Sequence, residues 1–223
     1  MNQFLLDAPQ ALPAVNVFGL SAFKCFTLLD LLPHIESAAV LNSMANVDAI
    51  VEAFNAKPMD GIQMALQNKV IADDAPERIA RFLVDTPGLQ RKQLGEYVCD
   101  YRRLPLLRAY IRTQTFIGLD PIVALRQLLR ILPLPGEGSA VDRVIEEFAA
   151  LYHDENPDRF KERDQMYTFT YALLLLNMDI LHKQTQSRMK EEDFVRSGSG
   201  SGHPGELLRH AFRDLQANPL EVK

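Results

Sequence analysis

One glutamate stands out among the residues able to do chemistry. Glu137 occupies the tip of a Pro-Gly turn in the stretch LPLPGEGSAVDR, residues 132–143. Turn tips usually carry Gly, Asn, Asp or Ser, each of which has a local backbone role there. A glutamate has no such role. It either complements the dipole of the helix that follows or carries a carboxylate outward to something else. Pro133 and Pro135 stiffen the segment, and Gly136 and Gly138 leave room for another backbone to approach. The remaining reactive residues offer less. Asp179 and His182 stand at i, i+3 with His153 upstream, but a metal site needs three or four ligands with support behind them, so no metal is expected. Cys99 follows Glu-Tyr-Val on an apolar helix face and reads as a small buried hydrophobe rather than a nucleophile. No Ser-His-Asp order, phosphate-binding Walker loop or dinucleotide glycine pattern occurs.

The elements that must position Glu137 are helical. Upstream, GLDPIVALRQLLRIL gives Asp120 as N-cap, Pro121 as first helical residue and a stripe of Leu125, Leu128, Leu129 and Leu132. Downstream, Val141, Val144, Ile145, Phe148, Ala149 and Tyr152 follow the spacing of a one-faced helix. From Asp164 to His182 the chain is apolar nearly all round, the pattern of a helix in the middle of a domain. Residues 77–83, 89–99, 104–114 and 206–217 give further helix patterns, and no useful strand alternation appears. The class is therefore all-α, with short Pro/Gly connections that favour antiparallel neighbours. The stretch SGSGSGH, residues 197–203, reads as a flexible linker. In residues 1–45, Phe18, Ala22, Cys25, Phe26, Leu29 and Leu32 fall on one face if the segment is helical. That face would pack on the domain, or lie on a membrane or partner.

The bulk numbers set limits. In 223 residues the composition is 47% hydrophobic and 24% charged, ordinary for a globular chain able to bury a core without staples. The net charge of −5 argues against nucleic-acid binding. Two cysteines make no disulfide framework and fit a reducing cytosol. No stretch reads as a membrane span or a secretory signal.

Several segments taken together resemble a known family. FNAKPMDGIQMAL (residues 54–66), FLVDTPGLQRKQLGEYV (82–98), the LPLPGEGSAVDR stretch, the helix of residues 164–182, and EEDFVRS followed by LLRHAFRDLQANPL occur in one order. They resemble the Sec7 domain, the guanine-nucleotide exchange module for Arf-family small GTPases. Its motifs read approximately F-N-x-x-P-x-x-G-I, G-L-x-K-x-x-I-G-x-Y-L, F-R-L-P-G-E-x-x-x-I-D-R and L-N-T-D-L-H-N. The resemblance implies a right-handed superhelix of about ten helices over residues 46–220, preceded by an extension of residues 1–45. It implies a partner, an Arf-family GTPase carrying GDP or GTP and magnesium, and no cofactor of the chain's own. It further implies a role in vesicle traffic, with transient attachment to a membrane through regions outside the domain.

By the same resemblance Glu137 is a catalytic finger, supported by Pro135, Gly136 and Gly138. The groove beside it falls on Asp164, Tyr167, Tyr171, Ala172, Leu174, Leu175, Asn177 and Met178. Leu173 and Leu176 are expected to face the core, and Tyr171, Leu174, Leu175 and Met178 the partner. The positions that track brefeldin A sensitivity in the family correspond to Tyr171, Ala172, Asp179 and Met189; three of the four are of the sensitive type, which implies partial sensitivity. The chain departs from the pattern at Leu132-Pro133, where the family has Phe-Arg, and at Met178, where it has a hydroxyl residue. The alternative is a Sec7-like module that binds a GTPase or another protein without exchange; a third is a helical scaffold with no GTPase partner.

Overall fold

The computed structural model describes residues 46–182 and 188–222, which fall in one compact unit. The proposed face on Phe18 to Leu32 lies outside them. The described residues form ten helices and no strand: α1 (46–56), α2 (Pro58–Gln67), α3 (Pro76–Asp85), α4 (Arg91–Val98), α5 (Leu104–Ile111), α6 (Pro121–Ile131), α7 (Gly138–Glu155), α8 (Arg163–Leu181), α9 (Glu191–Gly200) and α10 (Gly205–Ala217). A 3-10 turn, Tyr101–Arg103, precedes α5. Helix starts follow local chemistry. Proline opens the first turn of α2, α3, α5 and α6, where its missing N–H costs nothing. Asp120 caps α6, its carboxylate accepting from the Ile122 amide at 2.9 Å.

The predicted stripes are the core. Leu125, Leu128, Leu129 and Leu132 are buried, as are Val144, Ile145, Phe148, Ala149 and Tyr152, while Val141 is half-buried. Helix α7 packs along α8, α3 against α5, and α9 against α10. A run of rings threads the middle: Phe116, Phe148, Tyr152, Phe160, Phe169 and His203, each centroid within 6.1 Å of the next. The Phe160–His203 pair is 6.4 Å apart. Such pairs add about 0.5–1.5 kcal/mol each beyond the area they bury.

Three residues of the first recognisable motif, Phe54, Asn55 and Gly61, serve the fold. A Cβ on Gly61 would lie 2.5 Å from the Phe54 Cα, so only glycine lets α1 and α2 meet there. Asn55 clamps the turn before α4: its amide donates to the Gly88 carbonyl at 2.9 Å and its oxygen accepts from the Gln90 amide at 2.7 Å.

The Ser-Gly segment is not a linker. Helix α9 runs through Gly200, and Gly198 is buried against Leu208 of α10. The end is a Schellman cap: the His203 amide bonds the Gly198 carbonyl, the Gly202 amide bonds that of Ser199, and Gly202 takes φ 83°. Burial of Phe194 and Leu208 outweighs the poor helix propensity of glycine, about 1 kcal/mol per residue.

Candidate functional site

The turn carrying Glu137 is braced from α4. Arg91 donates to the carbonyls of Leu129 and Arg130 at 3.0 and 2.6 Å, satisfying the end of α6. One turn along α4, Gly95 sits against the buried Pro133: a Cβ there would lie 2.8 Å from the Pro133 carbonyl oxygen. The departure from the family pattern at Pro133 therefore falls where the loop base is clamped by backbone contact. The tip is open. Gly136, Glu137 and Gly138 are exposed, and a Cβ on either glycine would meet nothing within 4 Å.

Glu137 also begins α7. Its carbonyl accepts from the amides of Ala140 and Val141 at 3.0 and 3.1 Å. Its side chain makes no cap bond. Instead the Ser139 hydroxyl donates to the carboxylate at 2.5 Å. Arg143 in turn donates to Ser139 Oγ at 3.4 Å and to the Cys99 carbonyl at 3.2 Å. Two clefts, of about 480 and 450 Å³, flank the loop.

Beside this end of α7 lies an exposed apolar stripe on α8. Tyr167 stacks on Tyr171 with centroids 6.2 Å apart, and its hydroxyl donates to Asp142. That bond, then burial, pushes the Tyr167 phenol up to about 12. Asp142 is five residues past Glu137, roughly 7.5 Å along the helix at 1.5 Å per residue, so the tyrosines stand at the Glu137 end of α7. The stripe continues through Tyr171 (43% exposed), Leu175 and Met178 (64%). Ala172 beside it is half-buried, and Asp164 is exposed in the first turn of α8. At the far end Asp179 accepts from the Met189 amide at 2.9 Å, which brings the exposed Met189 back to the helix.

Two expected groove residues are elsewhere. Leu174 is only 8% exposed and Asn177 only 1%. Helix α8 packs against α7 and also against α10 and the C-terminal tail, so it buries a wider arc than one stripe. Leu174 lies in that arc. Asn177 clamps the tail, accepting from the Leu220 amide at 2.7 Å and donating to its carbonyl at 3.1 Å. Leu173 and Leu176 are fully buried, as expected. Sequence reasoning missed Leu181, an exposed residue three past Met178 that extends the stripe, and the partners Ser139 and Asp142, which lay unused inside the quoted turn motif. Cys99 is buried, and burial pushes its thiol up to about 12, which removes it as a nucleophile at neutral pH.

Fold and site together define a helical interaction module that presents one carboxylate beside an apolar helix face. The Sec7 domain model matches residues 43–220, and the chain belongs to the Sec7 domain family. It is 31% identical over 179 residues to the ADP-ribosylation factor guanine nucleotide-exchange factor sec71 of Schizosaccharomyces pombe, covering 78% of this chain and 10% of that one. It is 28% identical over 205 residues to human Cytohesin-3, covering 89% and 51%. The chain thus spans between about a tenth and a half of these relatives. Among solved structures, that of ARF1-GDP bound to a Sec7 domain complexed with brefeldin A superposes with a TM-score of 0.77 at 27% identity, over 83% of this chain and 97% of that one. The Sec7p catalytic domain superposes with a TM-score of 0.72 at 29% identity.

Proposed function

We propose that the chain is a guanine-nucleotide exchange module that releases GDP from an Arf-family small GTPase, with Glu137 as its glutamic finger. The observation that carries this reading is the placement of Glu137: on a braced loop, between two glycines with open space around them, at one end of the apolar stripe of α8. The similar exchange factors and the solved ARF1 complex support the choice of partner.

The chemistry is electrostatic; no covalent bond is made or broken. GDP is held on a GTPase by magnesium and by contacts to its phosphates. A carboxylate brought beside the β-phosphate repels it and competes for the cations that hold it. Two unit charges about 4 Å apart at an effective dielectric near 20 interact by roughly 4 kcal/mol, which is worth about a thousandfold in rate. The charge acts only if the partner is held. Tyr167, Tyr171, Leu175, Met178 and Met189 supply the apolar area, with Ala172 and Asp164 at its margin, and burying such anchors displaces the partner's mobile switch segments. Leu174 and Asn177 act beneath the surface, by packing and by holding the tail. Among the described residues no helix is long and apolar enough to cross a membrane; attachment to a membrane, in this reading, is transient and made by segments outside the domain.

The test is GDP release from Arf-family GTPases with the native chain and with Glu137→Lys. Acceleration that the substitution abolishes supports the finger. Binding without acceleration supports a module that only docks. The exposed Tyr171 and Met189 and the Asp179–Met189 bond also support partial inhibition by brefeldin A; exchange untouched by excess drug contradicts that.

A further inference from the structure

The second cleft flanking the finger, of about 450 Å³, is lined on its far side by Asp100, Tyr101 and Arg102, and on its near side by Glu137, Ala140 and Arg143. Ala140 and Arg143 lie on one face of α7, while Asp142, which meets the tyrosines of α8, lies roughly 130° away around the helix at 100° per residue. The finger therefore stands between two surfaces, and only one of them belongs to α8.

We propose that Tyr101 and Arg102 form a second contact shelf for the same GTPase, on the side of the finger opposite α8. This inference rests on the exchange reading. Tyr101 is the most exposed large hydrophobic residue among those described, at 71%, and Tyr and Arg are the residue types that most often anchor interfaces. Asp100 pins the backbone and the arginines of the shelf before any partner arrives. Asp100 accepts from the Arg102 amide at 3.0 Å, from the Arg102 guanidinium at 3.0 and 2.6 Å, and from Arg103 at 2.6 Å. Arg103 sits 4.3 Å over the ring of Tyr97, which is buried against Phe54. Arg102 lies 5.6 Å from the centre of the Tyr101 ring and leaves it exposed. A surface already ordered loses little freedom when it is covered. The occupant follows from the shared cleft. An interface of ordinary size covers about 800 Å² on each partner, area enough for a protein whose nucleotide site receives Glu137 to reach Tyr101 across the cleft the two residues share.

Release of GDP is measured against GTPase concentration for the native chain, Tyr101→Ala, Arg102→Ala and Glu137→Lys, with the melting temperature of each. Ile117→Ala is the control, a comparably exposed apolar residue of the α5–α6 connection, whose neighbour Gly118 bonds Asn156 just past the far end of α7. Truncating Tyr101 is expected to raise the half-saturating GTPase concentration about fivefold to tenfold while maximal rate and melting temperature hold; Arg102→Ala moves it in the same direction. Unchanged half-saturation in Tyr101→Ala, with native exchange intact and lost in Glu137→Lys, overturns the shelf and leaves the finger standing. A loss of maximal rate at unchanged half-saturation also overturns it. If the native chain neither binds nor accelerates any Arf-family GTPase, both readings fall together.

Discussion

Two segments of this chain are rich in glycine, and they behave in opposite ways. In LPLPGEG the glycines are exposed, and a Cβ on Gly136 or Gly138 would touch nothing. SGSGSGH is helical through Gly200 and then caps that helix, and a Cβ on Gly198 would lie 2.5 Å from a methyl of the fully buried Leu208. The second segment needs its glycine for the protein's own packing. The first has no internal need for its glycines; in the proposed exchange reading they leave room for a partner's backbone to approach Glu137. Composition alone ranks the two segments alike; the neighbours of the missing Cβ separate them.

That contrast is broken most severely at Gly198. Valine there overfills the α9–α10 contact, and over-packing costs of this kind run to about 2–3 kcal/mol, which lowers the melting temperature by roughly 5–10 °C in a chain of this size. Gly95→Ala is next. Its Cβ meets a backbone oxygen of Pro133, which cannot swing aside. A cost of about 1–2 kcal/mol is expected in thermal melts, together with roughly tenfold slower GDP release, because the finger is displaced at its base.

A smaller effect comes from His203, the last residue of the Schellman cap. Burial holds its imidazole below the ordinary value, and its Nδ1 has no partner. The unfolded chain takes up a proton below about pH 6.5 that the folded chain refuses. This contribution to stability is therefore complete above that pH and declines as the pH falls toward the lowered folded value, levelling off beneath it. Melting temperatures followed from pH 7.5 to 5.5 should fall less in His203→Phe than in the native chain; equal slopes contradict the assignment. The smallest effect belongs to Gly136→Ala, where melting should stay within about 0.5 kcal/mol of native while exchange slows. A large loss of stability there would mean the loop packs on its own protein after all.

Much of this was legible in the residues. The cap and stripe of α6 and the stripe of α7 follow from Asp120, Pro121 and the leucine and aromatic spacing, because one-faced burial leaves a period in the sequence. Helix α8 left no such period. It is apolar on its buried arc and also along the exposed stripe, so the sequence could not separate Leu174, which is buried, from Leu175, which is not. Asn177 was misplaced for a related reason: its partners, the backbone groups of Leu220, are 43 residues away, and no local pattern announces them. The Ser-Gly helix was hidden because its stability comes from Leu208 and Phe194, through contacts that outweigh propensity. Glu137 is visible as an anomaly of turn chemistry, but its surroundings are not: the brace comes from Arg91 and Gly95, about 40 residues upstream, and the Ser139 hydroxyl reaches its carboxylate only through the conformation of the turn.

The central claim is that the Glu137 carboxylate acts on a partner and not on its own fold. The most direct test follows GDP release from an Arf-family GTPase and thermal unfolding side by side for the native chain and Glu137→Lys. The finger reading predicts melting temperatures that agree within about 2 °C and release rates that differ by about a thousandfold. Equal release rates, or a loss of release that merely follows a loss of folding, would contradict it.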